Sequence, residues 1–166
     1  MTVMRALGAP AGASASSVID RIVRRIVSSG ETRPVIAPFT GDTLVELPVS
    51  TAADVAAAHA RARAAREEWA ARPVRERVKP FLALHDAILD RRDEVLDLVQ
   101  LENGKARRYA FEEVLDVAAA TLYYARRAPG LLAPRRRRGA FPLATRTVEL
   151  RRPKGTVAVI SPWNYP

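Results

Sequence analysis

Pro153-Lys154-Gly155-Thr156-Val157-Ala158-Val159-Ile160-Ser161-Pro162-Trp163-Asn164-Tyr165-Pro166 closes the sequence and carries its clearest structural signal. Thr156 to Ile160 is a continuous β-branched and apolar stretch without inside–outside alternation, the pattern of a strand buried on both faces and hence of a parallel sheet. Pro153-Lys154-Gly155 turns the chain into it. Ser161 to Tyr165 then lie just beyond its carboxyl end, where ligands meet the strands of open α/β sheets. A parallel strand satisfies its backbone only through a crossover and a second parallel strand. A sequence that stops six residues after Ile160 therefore reads as truncated at its first such strand. From position alone, the Pro-Trp-Asn-Tyr-Pro segment reads either as a ligand-facing loop or as a plain turn with Trp163 as core filler.

Upstream of this run the pattern is mostly helical. Val18, Ile19, Ile22, Val23, Ile26 and Val27 recur at helical spacing and predict a short amphipathic helix from Val18 to Ser29. Val35-Ile36 and Leu44 to Val49 flank Pro38-Phe39-Thr40-Gly41-Asp42, which predicts a small hairpin. Thr51 followed by Asp54 resembles a capping box, and Val55, Ala58, Ala62, Ala65 and Trp69 then share one face of a helix running to about Ala71. Pro73 suits the first turn of the next helix. Pro80 lies too deep in that helix to be harmless, since an interior proline costs about 3 kcal/mol, so the helix either kinks there or begins near Pro80. Val95, Leu98, Val99 and Leu101 mark a further helix ended by Asn103-Gly104, the pair best suited to a left-handed cap. A long helix carrying Phe111, Val114, Leu115, Ala118, Leu122 and Ala125 is expected to stop at Pro129-Gly130, and Val148 and Leu150 then alternate with polar residues as a half-exposed strand.

Composition narrows the function classes. The chain has 166 residues, 48% of them hydrophobic, which suits one packed domain. Cysteine is absent, so no residue here supplies a disulfide, a thiolate metal ligand or a thiol nucleophile. No apolar run approaches the roughly 20 residues that span a bilayer. Met1 to Ser17 is rich in Ala, Gly and Ser with a single Arg5 and lacks a signal-peptide pattern, so it reads as a flexible cytoplasmic leader. The 27 Lys and Arg against 18 Asp and Glu give a net charge of +9, but the arginines are scattered in pairs, as on solvated helix faces. Arg135 to Arg138 is bracketed by Pro134 and Gly139 without interleaved aromatics, so no specific nucleic-acid binding is expected from it. His59 and His85 stand alone without a second ligand at metal spacing, and no metal site is expected. Lys105 is accounted for by the dipole at the end of the preceding helix. The eight glycines contain neither a Gly-x-Gly-x-x-Gly nor a Walker pattern.

The closing run resembles the aldehyde dehydrogenase superfamily motif in which a Pro-x-Gly turn and a hydrophobic strand lead into Pro-Trp-Asn-x-Pro. Three further stretches match the same family in order: the Thr40-Gly41 hairpin, the Thr51 to Trp69 helix, and Glu102-Asn103-Gly104-Lys105 before the long helix with Glu113-Val114. The resemblance covers the chain from about Pro34 to its last residue. Pro80 departs from the family pattern, which usually continues a helix there.

The resemblance implies an α/β fold: the N-terminal helical and hairpin portion of the aldehyde dehydrogenase fold, truncated at the first parallel strand of the dinucleotide-binding domain. The implied divisions are a flexible leader at 1–17, a helix-rich N-terminal part of the cofactor-binding domain at 18–133, oligomerisation-arm strands at 134–152, and the first buried strand with its Pro-Trp-Asn loop at 153–166. In that family a cysteine thiolate attacks the aldehyde, hydride passes to NAD or NADP, and water assisted by a glutamate releases the acid. Asn164 matches the asparagine whose side-chain amide donates to the developing oxyanion, a role worth about 3 to 4 kcal/mol when a single donor is removed. Ile160, Pro162, Trp163 and Asn164 match positions lining the nicotinamide side of the cofactor site. The Ile160 to Pro166 form and the Ala/Arg-rich composition point to a succinate-semialdehyde dehydrogenase type. A cytoplasmic homo-oligomer acting on an aldehyde is implied for the complete enzyme, while this chain alone lacks the catalytic cysteine and glutamate and is expected to be inactive. The competing readings are a small basic helical protein that binds nucleic acid through Arg126 to Arg138, and a non-catalytic fragment that docks on intact subunits through its arm strand.

Overall fold

The computed structural model describes residues 13–141 and 144–164. Helix α1 (Ala13–Val23) leads into an antiparallel hairpin of β1 (Thr32–Ile36) and β2 (Thr43–Pro48). Five helices follow: α2 (Ala52–Ala71), α3 (Val74–Arg77), α4 (Lys79–Asp90), α5 (Arg92–Asn103) and α6 (Arg107–Leu132). A second small antiparallel pair, β3 (Arg135–Arg137) and β4 (Thr147–Glu149), comes last.

The core lies where α4, α5 and α6 pack together. Leu96 of α5 and Ala110 and Val114 of α6 are buried in one cluster, with Ile88 and Val99 packed against it. The buried positions of α6 are Ala110, Glu113, Val114, Ala118 and Ala125, one helical face made largely of small side chains. Of the apolar face expected for this helix, Val114, Ala118 and Ala125 are buried, whereas Phe111 and Leu115 are exposed. The neighbouring helices lie against the alanine-lined stripe, which lets backbones approach closely, and the larger side chains flank it.

Local chemistry explains most element boundaries. Helix α1 ends at Val23, short of the expected Ser29. The residues beyond it are drawn toward the hairpin and α2: Ser28 Oγ donates to the Val49 carbonyl at 2.5 Å and the Ser29 amide donates to Asp54 at 2.9 Å. In the hairpin turn the Gly41 amide donates to the Ala37 carbonyl at 2.9 Å, and Gly41 takes φ 77°, a left-handed conformation open to glycine. Thr51 caps α2 with the full reciprocal box: its hydroxyl accepts from the Asp54 amide and Asp54 accepts from the Thr51 amide. The face of α2 running from Val55 to Trp69 is not covered, and the helix has no buried residue among those described. Pro80 falls in the first turn of α4, where a missing N–H costs no helical bond, so the helix begins there rather than kinking. Helix α6 runs through Pro129 and Gly130 to Leu132, past the expected stop. Pro129 lies three residues before the helix end and forfeits only the bond its own N–H would have made to the Ala125 carbonyl, so one short turn continues beyond it.

The expected buried strand at Thr156 to Ile160 does not form. The stretch makes no ladder, and Val157, Val159 and Ile160 are 69%, 83% and 94% exposed. Among the described residues no other strand lies beside it, and an unpartnered β segment has nothing to satisfy its amides except water. Within 134–152 the chain forms the short pair β3 and β4, with Arg137 paired to Glu149 at 2.7 Å. The arginine at 137 and its exposed neighbours thus form one edge of a two-stranded ribbon. Residues 1–12 of the expected leader, and Tyr165 and Pro166 of the closing run, lie outside the described residues.

Two expectations follow from these boundaries. Gly104 closes α5 with φ 75°, and a Cβ there would meet the Pro38 ring at 3.0 Å. Gly104→Ala should destabilise the chain by about 1 to 2 kcal/mol, read as a lower urea midpoint with unchanged slope. Hydrogen bonds from the Thr51 and Ser29 amides and the Thr51 hydroxyl hold the Asp54 carboxyl well below its usual range. A depressed folded-state value means that this stabilisation is present above the unfolded value of ~3.9 and lost as pH falls through the folded one. Acid titration followed by circular dichroism should show α2 losing helicity only below about pH 4, with that acid limb absent in Asp54→Ala.

Candidate active-site loop

The site is built from the turn after α5, one side chain of α6 and the last described residues of the chain. Asn103 ends α5, and its Oδ1 accepts from the Lys105 amide at 2.8 Å. Gly104, in its left-handed conformation, turns the backbone so that the Lys105 side chain reaches α6. There the Lys105 ammonium pairs with Glu113 Oε1; the two side chains are 19% and 5% exposed. Glu113 Oε2 is buried without a hydrogen-bond partner among the described residues, so the lysine is the counter-charge that makes this buried carboxylate tolerable.

Lys105 also reaches the closing run. Its Nζ donates to the backbone carbonyl of Asn164 at 2.6 Å, and Asn103 Nδ2 donates to the carbonyl of Trp163 at 3.4 Å. Two adjacent carbonyls of the loop are therefore held from a turn about sixty residues earlier in the chain. The residues of the loop are open to solvent: Trp163 is 80% exposed, and Ile160, Pro162 and Asn164 are exposed as well. All four sequence-predicted site residues thus lie on one short open segment, whose Asn164 carbonyl is engaged by the lysine.

Other candidates fall elsewhere. His59 is exposed on α2, and His85 on α4 contacts Asp86 at 2.8 Å. Among the described residues no group of three or more His, Asp or Glu side chains gathers as metal ligands would. Arg107 bridges α5 and α6 by pairing with Asp93 at 2.9 Å and with Asp97, and its hydrogen bond to Asp97 raises its pKa further. The role of Lys105 escaped the sequence because a cation after a helix end is already explained by the helix dipole. The available signal was Glu113, a carboxylate set between Ala110 and Val114 on the buried face of α6, which called for a cation nearby.

These elements match known proteins closely. The chain belongs to the aldehyde dehydrogenase family, whose model matches residues 26–166. It is 44% identical over 158 residues to a Mycolicibacterium smegmatis protein named "Putative succinate-semialdehyde dehydrogenase (NADP+)", covering 95% of this chain and 31% of that protein. The chain therefore spans about a third of the length of the curated relatives it matches. Among solved structures it resembles an E. coli NADP-dependent enzyme, with TM-score 0.75 and 27% identity, over 82% of this chain and 28% of that one. It also resembles an NAD-dependent benzaldehyde dehydrogenase from Corynebacterium glutamicum, with TM-score 0.64 and 25% identity, over 70% of this chain and 26% of that one. The α/β fold class expected from the sequence, a partial aldehyde dehydrogenase fold, is the fold of these neighbours.

Removing the lysine should leave a stranded buried charge. Lys105→Met is expected to cost roughly 3 kcal/mol, and adding Glu113→Gln should recover much of it, because the neutral amide needs no counter-charge. Urea denaturation of the two variants against the parent checks this; equal midpoints for Lys105→Met and the parent would count against a buried pair.

Proposed function

We propose that this segment works as the N-terminal part of an NAD(P)-dependent aldehyde dehydrogenase that oxidises an aldehyde to its carboxylic acid, with succinate semialdehyde as the favoured substrate. The observation that carries the reading is the meeting of family motifs distant in sequence: Glu102-Asn103-Gly104-Lys105 and Glu113 hold the backbone of Trp163-Asn164. The substrate choice rests on the 44% identity to proteins named for succinate semialdehyde. Named relatives use either dinucleotide, so NAD and NADP both remain within the proposal.

Within that function, the Asn164 side-chain amide donates to the oxygen of the aldehyde as it gains negative charge. A preorganised neutral donor stabilises that charge without paying reorganisation at the moment of reaction. Ile160, Pro162 and Trp163 offer an exposed apolar surface beside that amide, which suits the flat nicotinamide ring. A dinucleotide held against these residues would supply the hydride acceptor for the oxidation. The glycines include no phosphate-cradling pattern, so these residues address the nicotinamide end only. The 166 residues hold no cysteine, so by themselves they supply no thiolate and are inactive without the remainder of an enzyme. The open edges of the β3–β4 ribbon suit pairing with a second subunit in a homo-oligomer. No helix among the described residues is long and apolar enough to cross a membrane; a cytoplasmic location is part of the proposal on the strength of the family match alone. Specific nucleic-acid binding forms no part of the reading; Arg137 and Arg151 are already paired with Glu149.

The test is a chimera in which this chain replaces the matching stretch of the Mycolicibacterium smegmatis relative. It should oxidise succinate semialdehyde with NADP. Asn164→Ala should lower kcat by on the order of a hundredfold or more with little change in cofactor affinity, while Trp163→Ala should chiefly weaken NAD(P) binding. Near-normal turnover in a well-folded Asn164→Ala chimera would return the segment to a plain turn.

A further inference from the structure

We infer that Lys105, Asn103 and Glu113 are positioning residues for the loop Ser161 to Asn164, clamping it by its backbone so that the Asn164 amide and the Trp163 ring are presented outward. The inference rests on the proposed role of Asn164 for its catalytic meaning, but the clamp itself is a property of this chain.

The loop follows a stretch that makes no ladder, and Gly155 at its start takes φ 107°. Such a segment has little of its own to hold it. What holds it is a pair of side-chain donors that select main-chain carbonyls: Lys105 Nζ on Asn164 at 2.6 Å and Asn103 Nδ2 on Trp163 at 3.4 Å. A charge-assisted bond of that length is among the stronger protein hydrogen bonds. Because both contacts fall on carbonyls, neither uses the side-chain groups that a ligand would meet.

Each donor is in turn fixed from behind. Glu113, buried on α6, pairs with the ammonium of Lys105, and the same Nζ donates to the Asn164 carbonyl. Asn103 is held by accepting from the Lys105 amide at 2.8 Å, which orients its Nδ2 toward the loop. The left-handed Gly104 between them sets the two donors side by side. A site needs its reacting groups held to within a fraction of an ångström by supporting residues, and here the support comes from the rigid ends of α5 and α6 rather than from the loop.

The experiment is 15N relaxation on the full chain, reading the Trp163 and Asn164 amides. In the parent their order parameters should approach the ~0.85 of rigid backbone. In Lys105→Met combined with Glu113→Gln, which avoids stranding the carboxylate, and separately in Asn103→Asp, which keeps the acceptor for the Lys105 amide but loses the donor, they should fall below about 0.6. Lys105→Arg should restore rigidity. The Ala110 and Val114 amides report whether α6 stays folded and should not change. A loop already below about 0.6 in the parent, or one whose values stay near the parent's in both anchor variants, overturns the inference. If the clamp behaves as expected while Asn164→Ala leaves the chimera active, the clamp stands and the oxyanion reading falls. If Asn164→Ala abolishes turnover but the anchor variants leave the loop rigid, the reverse holds.

Discussion

A buried carboxylate must be answered by a cation, and in this chain that requirement ties three distant segments together. Glu113 sits on the covered face of α6 amid alanines and valine, where an unpaired charge would be costly. Lys105 answers it from the turn after α5, and the same ammonium carries on to the Asn164 carbonyl. The contact thus does two things at once. It closes the α5–α6 corner, and it hands the position of that corner to the Trp163-Asn164 loop.

The rest of the molecule is arranged around that corner with decreasing firmness. Nearest to it, α4, α5 and α6 share the only buried cluster among the described residues, built on Leu96, Ala110 and Val114. Helix α1 lies against α5, and Arg21 on it pairs with Glu94 at 2.9 Å. The segment leading into the β1–β2 hairpin is stitched to the start of α2 through Ser29 and Asp54. Farther out, α2, the β3–β4 ribbon and the stretch from Thr156 to Ile160 leave their apolar side chains in solvent. A helix face of alanines and a β-branched run each gain stability only when a second layer lies against them. The Trp163-Asn164 loop belongs to this outer region by sequence but is joined to the α5–α6 corner by its hydrogen bonds, so its backbone is held while its side chains stay open.

Much of this was written in the sequence because the deciding forces were local. The Thr51 cap, the left-handed Gly104 and the hairpin turn around Gly41 follow from side-chain reach and backbone sterics within a few residues. The identity of Asn164, Trp163, Pro162 and Ile160 as candidate site residues came instead from the resemblance of the ordered motifs to the aldehyde dehydrogenase family, since position alone left the segment open between a ligand-facing loop and a plain turn. The sequence also left open whether a helix kinked or began at Pro80, and it put the end of α6 too early at Pro129-Gly130. Proline's local penalty is plain in sequence, but whether a helix absorbs it depends on where the ends fall.

What only the tertiary structure decided was which side chains meet. That α6 buries Glu113 and leaves Phe111 and Leu115 exposed depends on the approach of α4 and α5, not on the helix's own periodicity. That Thr156 to Ile160 remains an exposed, unpaired run depends on the absence of a neighbouring strand among the described residues, since β-structure is a property of pairs and cannot be settled by one segment's composition. That Lys105 is a counter-charge and a clamp depends on a turn and a helix face brought together with residues about sixty positions later. Periodicity and capping chemistry act over one or two turns of chain, so the sequence by itself determined the elements; contacts across the fold determined what holds the loop.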